Sequence, residues 1–200
     1  MQIDPSALSR RDGYHLMVSA IVPRPIAFVS STGASGRTNA APFSYFTGVS
    51  SSPMSLLICS GRRKEGVKDT QRNIIETGEF VVNAVVEELM DAVVIGGTDH
   101  PADISEIELA GLRTAPGVKM RGPLLIDSPI NMECKLTQAV EVAGSAILVG
   151  EIVWMHVRDD LLADAPATSP VIDASRLKPI ARLGGDLYAR LGEVFERRRR

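Results

Sequence analysis

The segment "CSGRRKEGVKDTQRN", residues 59–73, gathers Arg62, Arg63, Lys64, Lys68 and Arg72 around two glycines. The hydroxyls of Ser60 and Thr70 stand among them. From Lys68 onward the pattern is helical: Asp69, Thr70 and Asn73 occupy the first turns, Ile74 and Ile75 supply apolar contacts, and Gly78 is a stop signal. A helix N-terminus exposes unpaired N–H groups and partial positive charge, so cations and hydroxyls beside one make a cradle for a phosphate. The same residues also suit a solvated charged loop with Asp69 as the helix cap, and the local sequence does not decide between the two.

Upstream, "NAAPFSYF", Asn39 to Phe46, is thin for a buried strand. Ala40 and Ala41 leave space above the backbone, and Pro42 tolerates only an edge or bulged position. A planar ring can lie against such a backbone and bond its N–H and C=O groups. Asn39 and Ser44 add polar contacts, and Phe43, Tyr45 or Phe46 can border the ring. A charged end beside a flat end describes flavin mononucleotide (FMN), although ordinary packing in a hairpin accounts for the same residues.

The elements that must position these groups are mostly strands. A helix is expected over Arg10 to Ala20, stopped by Pro23 and Pro25. "PIAFVSSTG", a turn in "GASGRTN", and the thin stretch running on into "FTGVS" resemble a hairpin. "PMSLLICSG" and "EFVVNAVV" are further strands, with a second helix expected at about Val86 to Ile95 and loop chemistry through "GGTDHPADIS". "PINMECKLTQAVEVAG" and "AILVGEIVWMHVRDD" are two long strand-forming runs joined at Gly144 and Ser145. The fold class expected is mainly β: antiparallel strands in one domain over residues 1–200, with a few inserted helices.

Composition narrows the function. The chain has 200 residues, is 44% hydrophobic and 23% charged, and carries a formal net charge of -2. That balance argues against a general nucleic-acid surface, so any anion site must be local. The basic end "FERRRR" reads as a solvated helix terminus. No run approaches the ~18 apolar residues of a membrane span, and no leader is evident, which points to a cytoplasmic protein away from the membrane. Cys59 and Cys134 lie far apart outside any CxxC pair and read as reduced thiols. With His15, His100 and His156 alone, no metal site is expected, and the loop Asp99 to Asp103 reads as a turn. Phosphate-loop, dinucleotide, HExxH and GxSxG motifs are absent.

Six pieces in one order carry a resemblance: "GYHLM…VPRPIAFVSSTGASGRTNAAPFSYFTGVSSSP", "KDTQRNIIETGEFVVN", "LAGL", "SPINMECKL", "GEIVWMHVRDD" and "ARLGGDLYA". From about Tyr14 to Ala189 the chain resembles the flavin reductase-like, FMN-binding split-barrel family that includes flavoredoxins. The resemblance implies an antiparallel, Greek-key type split β-barrel that forms a homodimer and binds FMN near the subunit interface. It implies that Asn39, Ala40, Ala41 and Ser44 line the ring or ribityl chain. It also implies that Ser60, Arg62, Lys68 and Thr70 hold the phosphate, with Ser30 and Thr32 as further contacts. His156 matches a histidine near the flavin or the nicotinamide in similar proteins, although a half-buried strand histidine with no such role fits equally. Arg182 belongs to a late motif that returns toward the cofactor, and a structural role fits it as well. Ser105, Glu106 and Ile107 depart from the aspartate, glutamate and phenylalanine common in relatives, which leaves the second substrate open.

The activity implied is hydride transfer from NADH or NADPH to bound FMN, with electrons passed to free flavin, a monooxygenase partner, a small organic molecule or an iron complex. The hydride chemistry belongs to the cofactor, so no protein nucleophile is expected. The alternative is an FMN-binding electron carrier, like a flavoredoxin, reduced by a partner protein.

Overall fold

Ala27, Phe28, Val29 and Ser30 are consecutive and all fully buried, so the strand carrying them must be covered on both faces. A computed structural model describing residues 1–61, 66–101, 103–163 and 169–198 shows how. In chain order its elements are α1 (Arg10–Ala20), β1 (Arg24–Pro25), β2 (Ala27–Thr32), β3 (Thr38–Phe43), β4 (Phe46–Ser51), β5 (Met54–Gly61) and α2 (Asp69–Thr77). Then come β6 (Glu79–Ala84), α3 (Met90–Gly96), α4 (Glu106–Leu109), β7 (Thr114–Ala115), β8 (Leu124–Leu125), β9 (Ile130–Val142) and β10 (Ser145–Val157). The last are α5 (Ala174–Leu177), β11 (Ile180–Arg182) and β12 (Tyr188–Arg190).

Seven strands form one antiparallel sheet in the order β3-β2-β6-β9-β10-β5-β4. The sheet curls until its ends approach: the Cys59 N–H on β5 donates to the Tyr45 carbonyl, at the junction of β3 and β4, at 2.8 Å. One apolar cluster, with Ala27, Val29, Phe43, Ile58, Phe80 and Leu148, includes Ile74 of α2. On the other face Ile26, Phe28 and Ala40 pack with Val93 of α3 and Ile107 of α4. The fold is a mostly β split barrel with few helices, as expected. A small sheet, β1-β11-β12, brings the late segment back beside the start of β2.

Local chemistry explains the boundaries. α1 spans the residues expected for it, and Ser9 caps it by accepting from the Asp12 N–H. α2 ends at Gly78, whose φ of 73° is the left-handed stop that glycine takes without a Cβ clash. The long hairpin turns one residue earlier than expected, at Ala143 and Gly144, whose φ values are 48° and 83°. Two successive positive φ angles make the tight turn that matches strand twist, and Ser145 already pairs with Val142. Gly150 is required by packing: a Cβ there would stand 2.5 Å from Phe80 Cζ.

Two expectations are corrected. "NAAPFSYFTGVS" is not one strand, because the chain leaves β3 at Ser44–Tyr45 and enters β4 at the opposite end of the sheet. The second helical stretch is found where expected, as a short 3-10 turn, Glu87–Leu89, running into α3, and α4 starts directly after the stretch read as loop. The tail from Leu191 to Arg198 forms no helix and is exposed, its Leu191, Val194 and Phe195 included. No helix among the described residues is long and apolar enough to cross a membrane.

Candidate functional site

β3 is the terminal strand on its side of the sheet, so its outer backbone groups have no strand partner. Pro42, which has no N–H, is tolerated there for that reason. The smallness of Ala40 has a protein partner: α3 passes so close that a Cβ on Gly96 would stand 2.5 Å from the Ala40 carbonyl oxygen. Ala41 packs against the barrel core. The space that the sequence left above Ala40 is thus filled by α3, and the half-buried residues within the strand after Asn39 are Ala41 and Pro42.

The N-terminal turn of α2 lies beside that strand. Lys68 is its N-cap residue and makes no side-chain capping bond. Its Nζ sits 5.6 Å from the centroid of the Phe43 ring. Asp69, Thr70, Gln71 and Asn73 are all buried, an unusual density of polar groups for a first turn. The Thr70 hydroxyl donates to Asn39 Oδ1 at 2.8 Å, and Asn39 Nδ2 donates to Glu106 Oε2 at 2.6 Å. Asn73 Nδ2 donates to Ser31 Oγ at 3.1 Å. Arg72 pairs with Asp69 along the helix. Gln71 Oε1 is buried with no hydrogen-bond partner among the described residues, as is Tyr45 Oη. Ser60 continues the inward series of Leu56 and Ile58 on β5 and is fully buried next to the end of β3. Thr70 and Asn39 are therefore brought together, with Lys68 beside Phe43 of the same strand, while Ser60 is buried on β5 and Arg62 lies outside the described residues.

Other expected residues sit elsewhere. Ser30 Oγ donates to the Pro123 carbonyl at 2.6 Å and accepts from Asn83 Nδ2 at 2.9 Å, so its hydroxyl is spent inside the protein. Thr32 Oγ1 donates to the Arg121 carbonyl at 3.3 Å. The β2 hydroxyl that meets α2 is that of Ser31, between them. Ser44 and Arg182 share a cleft of about 470 Å3 with Tyr14, Pro42, Val93 and Tyr188. There the Arg182 guanidinium lies 4.4 Å over the Tyr188 ring. Ser44 Oγ accepts from Arg24 Nε at 3.3 Å, and Arg24, 5% exposed, also donates to the carbonyls of Val18, Ile21 and Leu183. That arginine ties the end of α1 to the late segment and places Ser44.

His156 is apart from all of these, on β10, four strands from β3 in the sheet. Its Nε2 lies 2.7 Å from Glu133 Oε1. Glu133 is fully buried and also accepts from the N–H groups of Val118, Lys119 and Met120 at 2.7–2.8 Å. Burial pushes its pKa up, but the bond from His156 and the three backbone bonds outweigh that and hold it at about 2. Burial pushes the Cys134 thiol well above its usual range, and Cys59 is also raised by burial. Both cysteines are unbridged.

Gln71 and Glu133 were not singled out from sequence, Asn73 was read only as a residue of the first turns of α2, and Glu106 only as part of a departure from relatives. The start of α4 had a usable signal, since Ser105 accepts from the Glu108 N–H in a Ser-x-x-Glu pattern, but that pattern marks Glu108 and not Glu106. The four stand out only through burial.

Known proteins share the fold. A structure of nitrilotriacetate monooxygenase component B from Bacillus cereus is 37% identical, superposes with a TM-score of 0.92, and the match covers 98% of each chain. The 2-nitrobenzoate 2-nitroreductase NbaA of Pseudomonas fluorescens is 33% identical with a TM-score of 0.86, over 99% of this chain and 95% of that one. The flavoredoxin of Desulfovibrio vulgaris (Miyazaki F), at 21% identity and a TM-score of 0.77 over 88% of this chain and 91% of that one, shares the fold. Residues 18–176 match the profile described as "Flavin reductase like domain". An edge strand laid against a polar helix turn, in a barrel shared with these proteins, is the frame of a flavin-related oxidoreductase, and the chain belongs to the flavin reductase-like family.

Proposed function

We propose that this protein binds FMN along the edge of β3 and works as an NAD(P)H-dependent flavin reductase. The observation that supports it most is the first turn of α2: a helix start without a side-chain cap, next to the Lys68 cation and the end of an edge strand. Such a turn suits a phosphate through its N–H groups and dipole. The buried Oε1 of Gln71, lacking a donor, suits a polyol hydroxyl such as those of a ribityl chain. Residues and group therefore fit. Lys68 and the main-chain N–H of Thr70 hold the phosphate, Ser60 and Gln71 border the chain, and the β3 edge from Asn39 to Ser44 takes the ring.

When bound, FMN supplies the hydride acceptor. The protein's part is to hold the ring edge, exclude water on the side packed by α3, and leave one face open to a nicotinamide. Arg182 and Ser44 line the cleft at the ring end of that strand. His156, tied to Glu133, has no place at the site within one chain, so a flavin-side role for it belongs to a homodimer. Similarity to a protein named as a monooxygenase component supports a partner monooxygenase as electron acceptor. Titrating the apoprotein with FMN tests the site: saturable quenching of flavin fluorescence is expected, and no quenching at micromolar protein refutes it.

A further inference from the structure

Three buried residues from three elements form one hydrogen-bonded line. Thr70 of α2, Asn39 of β3 and Glu106 of α4 are 2%, 6% and 2% exposed. Thr70 Oγ1 donates to Asn39 Oδ1, and Asn39 Nδ2 donates to Glu106 Oε2, the shorter bond of the two at 2.6 Å. A carboxylate accepts and does not donate, so Glu106 selects which end of the Asn39 amide faces it. The amide oxygen is thereby turned to Thr70, and the single hydroxyl proton of Thr70 is committed to it. What Thr70 has left for an anion is its main-chain N–H, whose position depends on where the first turn of α2 is held. α4 is itself anchored on β3, with Ser105 Oγ 3.4 Å from Thr38 Oγ1 and Ile107 packed in the cluster that contains Ala40.

We infer that Glu106 is a positioning residue for the cofactor's phosphate: through Asn39 and Thr70 it pins the first turn of α2 to β3, and it sets affinity for phosphate-bearing flavins without touching them. The inference rests on the FMN reading above. Its signature is selectivity. The line ends at the phosphate turn and makes no contact with the cleft at Ser44, so its loss weakens FMN and spares riboflavin, which has the same ring and ribityl chain but no phosphate.

The test is fluorescence titration of apoprotein with FMN and with riboflavin. Glu106→Met, similar in length but without an acceptor, should raise the FMN Kd about tenfold, the scale of one lost bond to a buried polar group. The riboflavin Kd should change less than twofold. Glu106→Gln, which keeps an oxygen for Asn39 Nδ2, should restore FMN binding to within about threefold of the parent. If Glu106→Met fails to fold by circular dichroism, Thr70→Val, which keeps the main-chain N–H and removes only the hydroxyl bonded to Asn39, cuts the same line and should show the same selectivity. Equal weakening of both flavins, or no change in either, overturns the inference while leaving FMN binding intact. A parent protein that binds neither flavin overturns the functional reading as well, so the two failures are told apart.

Discussion

Gly96→Ala places one methyl group against a main-chain oxygen. The new Cβ would stand 2.5 Å from the Ala40 carbonyl and 3.1 Å from Phe28 Cε2. That carbonyl belongs to β3, whose register with β2 runs from Ala27–Phe43 to Thr32–Thr38, so it cannot swing aside as a side chain would. Overpacking of this kind costs roughly 1–3 kcal/mol. Alanine recovers at most about 1 kcal/mol of helix propensity, less at the last residue of α3. The net expectation is a loss of about 1–2 kcal/mol. Gly13→Ala is the matched control: it lies inside α1, no atom comes within 4 Å of its Cβ, and it should gain up to about 1 kcal/mol. In urea unfolding, with a slope of about 2 kcal/mol per molar, Gly96→Ala should lower the midpoint by roughly 0.5–1 M while Gly13→Ala raises it. A Gly96→Ala midpoint at or above the parent's would refute the close packing of α3 on β3, and with it the account of why Ala40 is small.

Other outcomes follow from the site and its surroundings. Lys68→Ala combined with Thr70→Ala should weaken FMN more than tenfold in a folded protein, since the charge-assisted bond from Lys68 to phosphate is worth roughly 1.5–3 kcal/mol and the loss of the Thr70 hydroxyl releases the first turn of α2 from Asn39. Unchanged affinity would place the phosphate elsewhere. Glu133 has a folded pKa of about 2 against an ordinary 4.5, so its stabilisation is present above about pH 4.5 and is lost as the pH falls toward 2. Its size is on the order of 3 kcal/mol at neutral pH. Glu133→Gln should therefore be clearly less stable than the parent at pH 7, with the gap narrowing at pH 3. A gap that stays constant with pH would mean that the carboxylate charge is not what the Val118–Met120 amides and His156 hold.

Much of the frame was legible because local signals agree with the tertiary structure. The prolines bounded α1, Gly78 ended α2, and two long strand-favouring runs carried β9 and β10. The break at Ser44–Tyr45 was not legible, because both sides of it favour strands and only barrel closure separates them. The charged segment pointed to α2, yet the residues that define its first turn include Gln71 and Glu106, and Glu106 lies some thirty-five residues away in sequence. The two alanines were read as room for a ring. Ala40 is in fact the floor for Gly96, an interaction that no single-residue pattern reveals. Ser30 and Ser31 differ by one residue and face opposite ways, so the choice between them required the register of β2 against β6 and β3.

The central claim is that this chain holds FMN and reduces it with a nicotinamide. The direct test is the visible absorption spectrum of the FMN-loaded protein, recorded without oxygen before and after adding NADH and then NADPH. A bound-flavin spectrum that bleaches with at least one of the two is expected. A bound-flavin spectrum unchanged by either, but bleached by a reducing partner protein, would contradict the reductase and establish an electron carrier.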